Sequence, residues 1–136
     1  MTVGVLLITH GDIGAVLLQS ALDILPMCPL PTLNLAAPSG CDPERVLQDA
    51  RHAARRLDSG DGVLVLTDMY GATPSNIACR LRTFHHVRVV SGVNLPMLIR
   101  VLNYPELELE ELADKAISGG RDGVLTCTPK DTTYAE

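Results

Sequence analysis

Two short, branched apolar runs most limit what this chain can fold into. Residues 3–8 lead into Thr9-His10-Gly11-Asp12-Ile13-Gly14, and Val63-Leu64-Val65-Leu66 leads into Thr67-Asp68 and then Gly71-Ala72-Thr73-Pro74. Runs this short, closed by glycine and followed by a new apolar-periodic stretch, read as strand, turn and helix. Each ends at a strand's carboxyl edge, where open parallel sheets bind ligands and assemble chemistry. One edge carries a histidine and the other a carboxylate.

The rest of the chain alternates helix and strand signals without a linker or an internal repeat. A first helix over residues 14–25 is stopped by Pro26, and Thr32-Leu33-Asn34-Leu35-Ala36 makes a short second strand. Asp42-Pro43 reads as an N-cap followed by proline in the first turn. In the helix that follows, Val46, Leu47, Ala50, Ala53, Ala54 and Leu57 recur at helical spacing, with Arg51, Arg55 and Arg56 mostly on the other side. Thr73-Pro74 repeats the cap-and-proline signal before a helix through Ile77, Ala78 and Leu81. Residues 87–91 read as a fourth strand. Pro96 opens a short helix through Leu102, Pro105 opens an acidic one through Ile117 that Gly119-Gly120 closes, and residues 124–128 read as a last strand.

Repeated βα units imply an α/β fold: a doubly wound, mostly parallel sheet with helices on both faces, because right-handed crossovers place helices over the sheet. In the order 2-1-3-4, strands one and three are neighbours whose helices leave to opposite sides, and their carboxyl ends form the crevice. This order brings His10 and Asp68 together. The 136 residues are expected to form a single domain over residues 1–136, burying about 70% of the unfolded chain's surface.

Composition excludes several classes. A formal charge of −5 and an aromatic set of Phe84 and three tyrosines argue against a nucleic-acid partner. No stretch approaches the roughly 20 apolar residues of a membrane span. The N-terminus has no basic segment of the kind that opens a signal peptide. Cys28, Cys41, Cys79 and Cys127 are scattered without a CxxC pair, as expected of reduced thiols in the cytoplasm.

A histidine beside a carboxylate is a chemical device. The carboxylate accepts a hydrogen bond from one ring nitrogen, and the other is left to act as base, metal ligand or nucleophile. The third segment bears on that choice. Gly71-Ala72-Thr73 leads into a helix N-terminus, where free N–H groups and the positive end of the dipole favour an anion. Gly11 and Gly14 permit close backbone approach opposite. A nucleophilic imidazole facing an anion nest points to a phosphohistidine, and no Walker lysine marks a bound nucleotide. We expect His10 and Asp68 as the catalytic pair, Gly11, Gly71, Ala72 and Thr73 as phosphate-binding positions, and neither metal nor cofactor. Other groups read as plain surface or core. These are a solvated His85-His86 pair, His52 on an exposed basic helix face, the solvent-facing acidic run 106–114, and Pro96-Met97-Leu98 as packing.

Three segments resemble a known family, the IIA domains of the mannose class of the bacterial sugar phosphotransferase system. They are Thr9-His10-Gly11, Thr67-Asp68 with Gly71-Ala72-Thr73-Pro74-Ser75-Asn76, and Val90-Ser91-Gly92-Val93-Asn94-Leu95-Pro96-Met97-Leu98. The third is the most specific, and with matching order and length the resemblance spans essentially the whole chain. It implies phosphorylation of His10, an imidazole oriented by Asp68 and a phosphoryl group held by the Gly71-Ala72-Thr73 turn. It also implies a homodimer whose last strand can be exchanged between subunits and run antiparallel. Family members often carry two glycines where this chain has Gly71-Ala72, and a larger aromatic at Tyr70.

The resemblance implies a cytoplasmic phosphocarrier. The histidine phosphocarrier protein donates to His10, and a IIB component, separate because no fused IIB domain follows, accepts for membrane IIC and IID components. Positioning and electrostatics, not a metal, drive in-line transfer of this kind. Such a carrier needs an exposed crevice at His10, with Tyr70 and Pro96-Met97-Leu98 as an apolar rim for a transient interface. The alternatives are a regulatory IIA-like protein read by a partner without sugar transport, and a flavodoxin-shaped nucleotide- or flavin-binding module. A histidine-phosphatase reading is weak, because Thr9 stands where an arginine normally precedes the His-Gly pair.

Overall fold

The computed structural model describes residues 2–129. Its elements are β1 (Gly4–His10), α1 (Ile13–Ile24), β2 (Thr32–Ala37), α2 (Pro43–Leu57), β3 (Val63–Thr67), α3 (Thr73–Arg80), β4 (Val87–Ser91), α4 (Leu95–Leu102) and α5 (Leu109–Asp122). The strands form one sheet in the order β2-β1-β3-β4, with every neighbouring pair parallel.

The sheet is covered on both faces, which is why its central strands are apolar at every position and not only at alternate ones. Val5, Leu7, Leu64 and Leu66 point to one side, where Ala21 of α1, Leu98 and Val101 of α4 and Leu112 and Ala116 of α5 meet them. Leu6, Ile8, Val63 and Val65 point to the other, onto Val46, Leu47 and Ala50 of α2 and Ile77 and Ala78 of α3. The helices after β1 and β3 therefore leave to opposite faces, and the crevice between those strands stays open at their carboxyl ends.

Local chemistry explains most element boundaries. Asp42 caps α2 by accepting from the Glu44 amide at 3.1 Å, with Pro43 in the first turn. Asn94 caps α4, accepting from the Met97 amide at 2.9 Å and donating to the Gly120 carbonyl at 3.1 Å. The latter bond ties α4 to α5.

Four boundaries differ from those expected. The N-cap of α3 is Ala72, so Thr73 and Pro74 both lie inside the first turn and no side chain caps it. Pro105 does not open α5. It sits in a turn closed by the Leu107 amide on the Tyr104 carbonyl at 3.3 Å, a position that favours proline, and the helix begins at Leu109. Gly119-Gly120 does not close α5 either, because the helix continues to Asp122. These glycines serve packing instead: a Cβ on Gly119 would stand 2.5 Å from Arg100 Cβ, and one on Gly120 would stand 2.9 Å from Met97 Cε. Finally, residues 124–128 form no strand in the single chain. A strand needs a ladder partner, and the sheet of this chain ends at β4.

Candidate functional site

Registry puts Ile8 beside Thr67, so β3 ends at the level where β1 still runs on to His10. Asp68 leaves the sheet there and turns back across the end of β1. His10 Nδ1 lies 2.8 Å from Asp68 Oδ2. The His10 amide donates to the same oxygen at 3.1 Å, and the Met69 amide donates to Oδ1 at 3.1 Å.

The carboxylate is 11% exposed and the imidazole 47%. Burial acts to raise the Asp68 pKa, but hydrogen bonds from the His10 ring and amide outweigh it and hold the carboxyl below its usual range. An ionised carboxylate only accepts, so Nδ1 is the donor. Nε2 then carries the lone pair, faces solvent and has no hydrogen-bond partner among the described residues.

The turn on either side of this pair is fixed by backbone geometry. Gly11 and Gly71 take φ values of 44° and 84°, in the region that favours glycine. Ala72 is extended, with φ −83°, so the alanine that replaces a second glycine is not asked to adopt a positive φ. The Asn76 side chain donates to the Gly71 carbonyl at 3.3 Å and braces the turn. Ala72, Thr73 and Ser75 thus bring the start of α3, with its N–H groups and positive dipole end, to the edge that carries His10.

Several supporting residues lay outside the sequence reading. Thr9 is buried, and its Oγ1 accepts from the Gly14 amide at 2.8 Å, doing for α1 what its N-cap residue Asp12 does not. Thr67 Oγ1 and Ser75 Oγ lie 2.8 and 3.4 Å from Ser91 Oγ, joining the ends of β3 and β4 to the first turn of α3. The apolar rim also differs from the expected one. Met97 and Leu98 are core residues at 3% and 0% exposure. Next to His10 the chain instead exposes Ile13 and Val16 from α1 and Met69 and Tyr70 from the turn after β3. Tyr70 and its neighbour Met69 belong to the expected rim and are exposed, whereas alternation in the sequence gave no signal for Ile13 and Val16.

The other histidines stand apart. His52 and His86 are exposed, and His85 is half-buried with an unpartnered ring nitrogen instead of being solvated. A 530 Å³ groove runs beside β4 between Tyr70, Cys79, Val89, Ile117 and Val124, and contains neither His10 nor Asp68. No helix among the described residues is long and apolar enough to cross a membrane.

The sheet thus brings a carboxylate-bonded histidine to its switch point, beside a helix N-terminus. Residues 4–117 match the family described as PTS system fructose IIA component, and the chain belongs to that family, the mannose class of phosphotransferase-system IIA proteins. It is 32% identical over 150 aligned positions to the PTS system mannose-specific EIIAB component of Escherichia coli (strain K12), covering 99% of this chain and 42% of that protein. The chain therefore spans less than half the length of that relative. The mannose/sorbose specific IIA subunit from Enterococcus faecalis superposes with a TM-score of 0.84 at 25% identity, covering 94% of this chain and 96% of that one. A PTS IIA protein associated with the fucose utilization operon of Streptococcus pneumoniae superposes at 0.75 with 23% identity, covering 90% and 91%, a likeness of fold.

Proposed function

We propose that this chain is a phosphohistidine carrier that accepts a phosphoryl group on His10 Nε2 from the histidine phosphocarrier protein and passes it to a IIB component for sugar uptake. The observation that carries this reading is the 2.8 Å contact between His10 Nδ1 and Asp68 Oδ2, made by a ring that remains half exposed. A buried histidine could not meet a partner protein's phosphohistidine. An exposed one without Asp68 would have no fixed tautomer.

In the transfer, the Nε2 lone pair forms the new bond to phosphorus while the bond from phosphorus to the donor's ring nitrogen breaks, its electron pair returning to that ring. The proton on Nδ1 stays in place, and the positive charge that develops on the phosphorylated ring faces the Asp68 carboxylate. Gly11, Gly71, Ala72 and Thr73 border the phosphoryl oxygens, and the N-terminus of α3 supplies the electrostatic complement. Transfer to the IIB component is the same step reversed, and the membrane IIC and IID components are reached through IIB.

The apolar groove beside edge strand β4 fits the same reading, since an unpaired edge is a site for strand addition. A second copy placing its residues 124–128 there would make the homodimer that the family resemblance implies. The function is tested by labelling the chain from phosphoenolpyruvate through the general phosphotransferase proteins, then adding a mannose-class IIB component. Label that passes through His10 to IIB supports the proposal. Label that never enters the chain overturns it, and label that enters but never leaves favours a regulatory role.

A further inference from the structure

Two basic features of the sequence have no place in phosphoryl transfer at His10: the arginine-rich face of α2 and the His85-His86 pair. The fold brings them together. Phe84 lies against α2, with the Arg51 guanidinium carbon 3.9 Å from its ring centroid. His85 packs beside the same helix, and Arg51 Nε and His85 Nε2 are both buried with no hydrogen-bond partner.

Ion pairing is also uneven. Arg80, Arg88 and Arg100 each meet a carboxylate, Glu44, Glu110 and Asp122 respectively. Arg51, Arg55 and Arg56 meet none among the described residues, and neither do Arg45, Arg82, Arg121 and Lys115; what sets Arg51 and Arg55 apart is the hollow they border. Gln48, Asp49, Arg51, His52 and Arg55 enclose a 240 Å³ hollow on this face. That is smaller than the roughly 300 Å³ at which pockets for organic cofactors begin. Stacking on Phe84 holds Arg51 in place before anything binds, which lowers the entropy lost on binding.

We propose that this hollow is a second anion site, in which Arg51, His52 and Arg55 bind a phosphate group carried by a small molecule. Arginine forks match the oxygens of such a group in pairs, and His52 adds a ring donor. Asp49 on the rim limits the site to a compact anion, because an extended acidic segment would run against its carboxylate. The site is remote from His10. A Cβ on Gly4, at the start of β1, would lie 2.7 Å from Leu57 Cβ at the end of α2, so that end of α2 sits one strand length, roughly 20 Å, from the histidine, and Arg55 lies in its last turn. A ligand there leaves the docking face free, which suits a metabolite that modulates the carrier. The inference stands independently of the phosphocarrier reading.

His85 offers a built-in reporter. Burial first, then the charges of Arg51 and Arg55, lower its pKa, with Asp58 acting in the opposite direction. An anion between the arginines offsets their charge, so the His85 ring should titrate at higher pH when the site is filled. The test is a titration of the intact protein with inorganic phosphate at constant ionic strength, following the imidazole resonances of all four histidines by NMR. Saturable shifts at His52 and His85, weakened about tenfold or more in Arg55→Gln, are expected. That variant leaves Arg51 and Phe84 in place, and unchanged dispersion of the amide resonances shows that it is folded. Shifts confined to His10, shifts that grow linearly without saturating, or a response to a poly-glutamate peptide but not to phosphate would each overturn the proposal. The last result would assign the face to an acidic protein instead.

Discussion

His10 Nδ1 and Asp68 Oδ2 meet at 2.8 Å although the two residues stand 58 positions apart in the chain. The contact exists because β1 and β3 are parallel neighbours in register, with β3 ending two residues short of the imidazole. Asp68→Asn keeps the shape of the side chain but brings an NH2 group to a position lined by the N–H donors of His10 and Met69, so the ring can settle in the wrong tautomer. We expect phosphoryl acceptance to slow by about tenfold or more, as for the loss of an orienting partner. Rapid-quench measurement on the folded variant checks this, and an unchanged rate removes Asp68 from the site.

The same contact sets a pH dependence. The Asp68 carboxyl titrates below its usual range in the folded chain, so in acid the unfolded state binds the extra proton first. The resulting stabilisation is fully present above the unfolded value of about 3.9 and is lost as pH falls through the lower folded value. Glu44, lowered by its hydrogen bond to Arg80 and by that residue's charge, titrates in the same window. The informative quantity is therefore the difference between wild type and Asp68→Asn in urea unfolding from pH 6 down to pH 3. That difference should narrow toward acid. A constant difference would show that the carboxylate is not stabilised in the fold.

Ile13, Val16, Met69 and Tyr70 expose apolar surface around the imidazole, with Tyr70 84% exposed. Contacts of this kind are insensitive to salt, unlike steering between charges. Tyr70→Ser combined with Val16→Ser should raise the phosphocarrier concentration needed for half-maximal transfer by about thirtyfold, on a cost of about 1 kcal/mol for each of the two side chains. The maximal rate should stay close to wild type. A fall in maximal rate with no change in concentration dependence would place these residues in the chemistry and not in docking.

Gly119 packs where a Cβ would stand 2.5 Å from Arg100 Cβ. Gly119→Ala must push α5 off α4, a local overpacking that costs about 1–3 kcal/mol. The gain in helix propensity of up to about 1 kcal/mol offsets only part of this. Denaturant unfolding should show a net loss, and a more stable variant would mean that the two helices part without cost.

Much of this organisation was legible in the residues. The buried strands read clearly because both of their faces are covered, and the order β2-β1-β3-β4, taken as the common one for alternating βα units, is the one observed. That order alone placed His10 next to Asp68. Features set by tertiary contact were not legible. Gly119-Gly120 has the local signature of a helix end, yet it is a packing device whose reason lies in Arg100 and Met97. Thr73 has the signature of a cap, but Ala72 takes that place, since proline fits anywhere in a first turn. Pro96-Met97-Leu98 reads both as packing and as an apolar rim, and the packing of α4 on the sheet puts Met97 and Leu98 in the core. The bonds among Thr67, Ser75 and Ser91 join three elements and leave no pattern in sequence.

The central claim is that His10 Nε2 receives the phosphoryl group. The most direct measurement is the intact mass of wild type and His10→Ala after incubation with phosphoenolpyruvate and the two general phosphotransferase proteins, before and after acid treatment. Because the ring is 47% exposed, its removal opens no core cavity and the variant should fold. Wild type should gain the mass of one phosphoryl group and lose it in acid, while His10→Ala gains nothing. An acid-labile gain in folded His10→Ala, or no gain in wild type, would contradict the account.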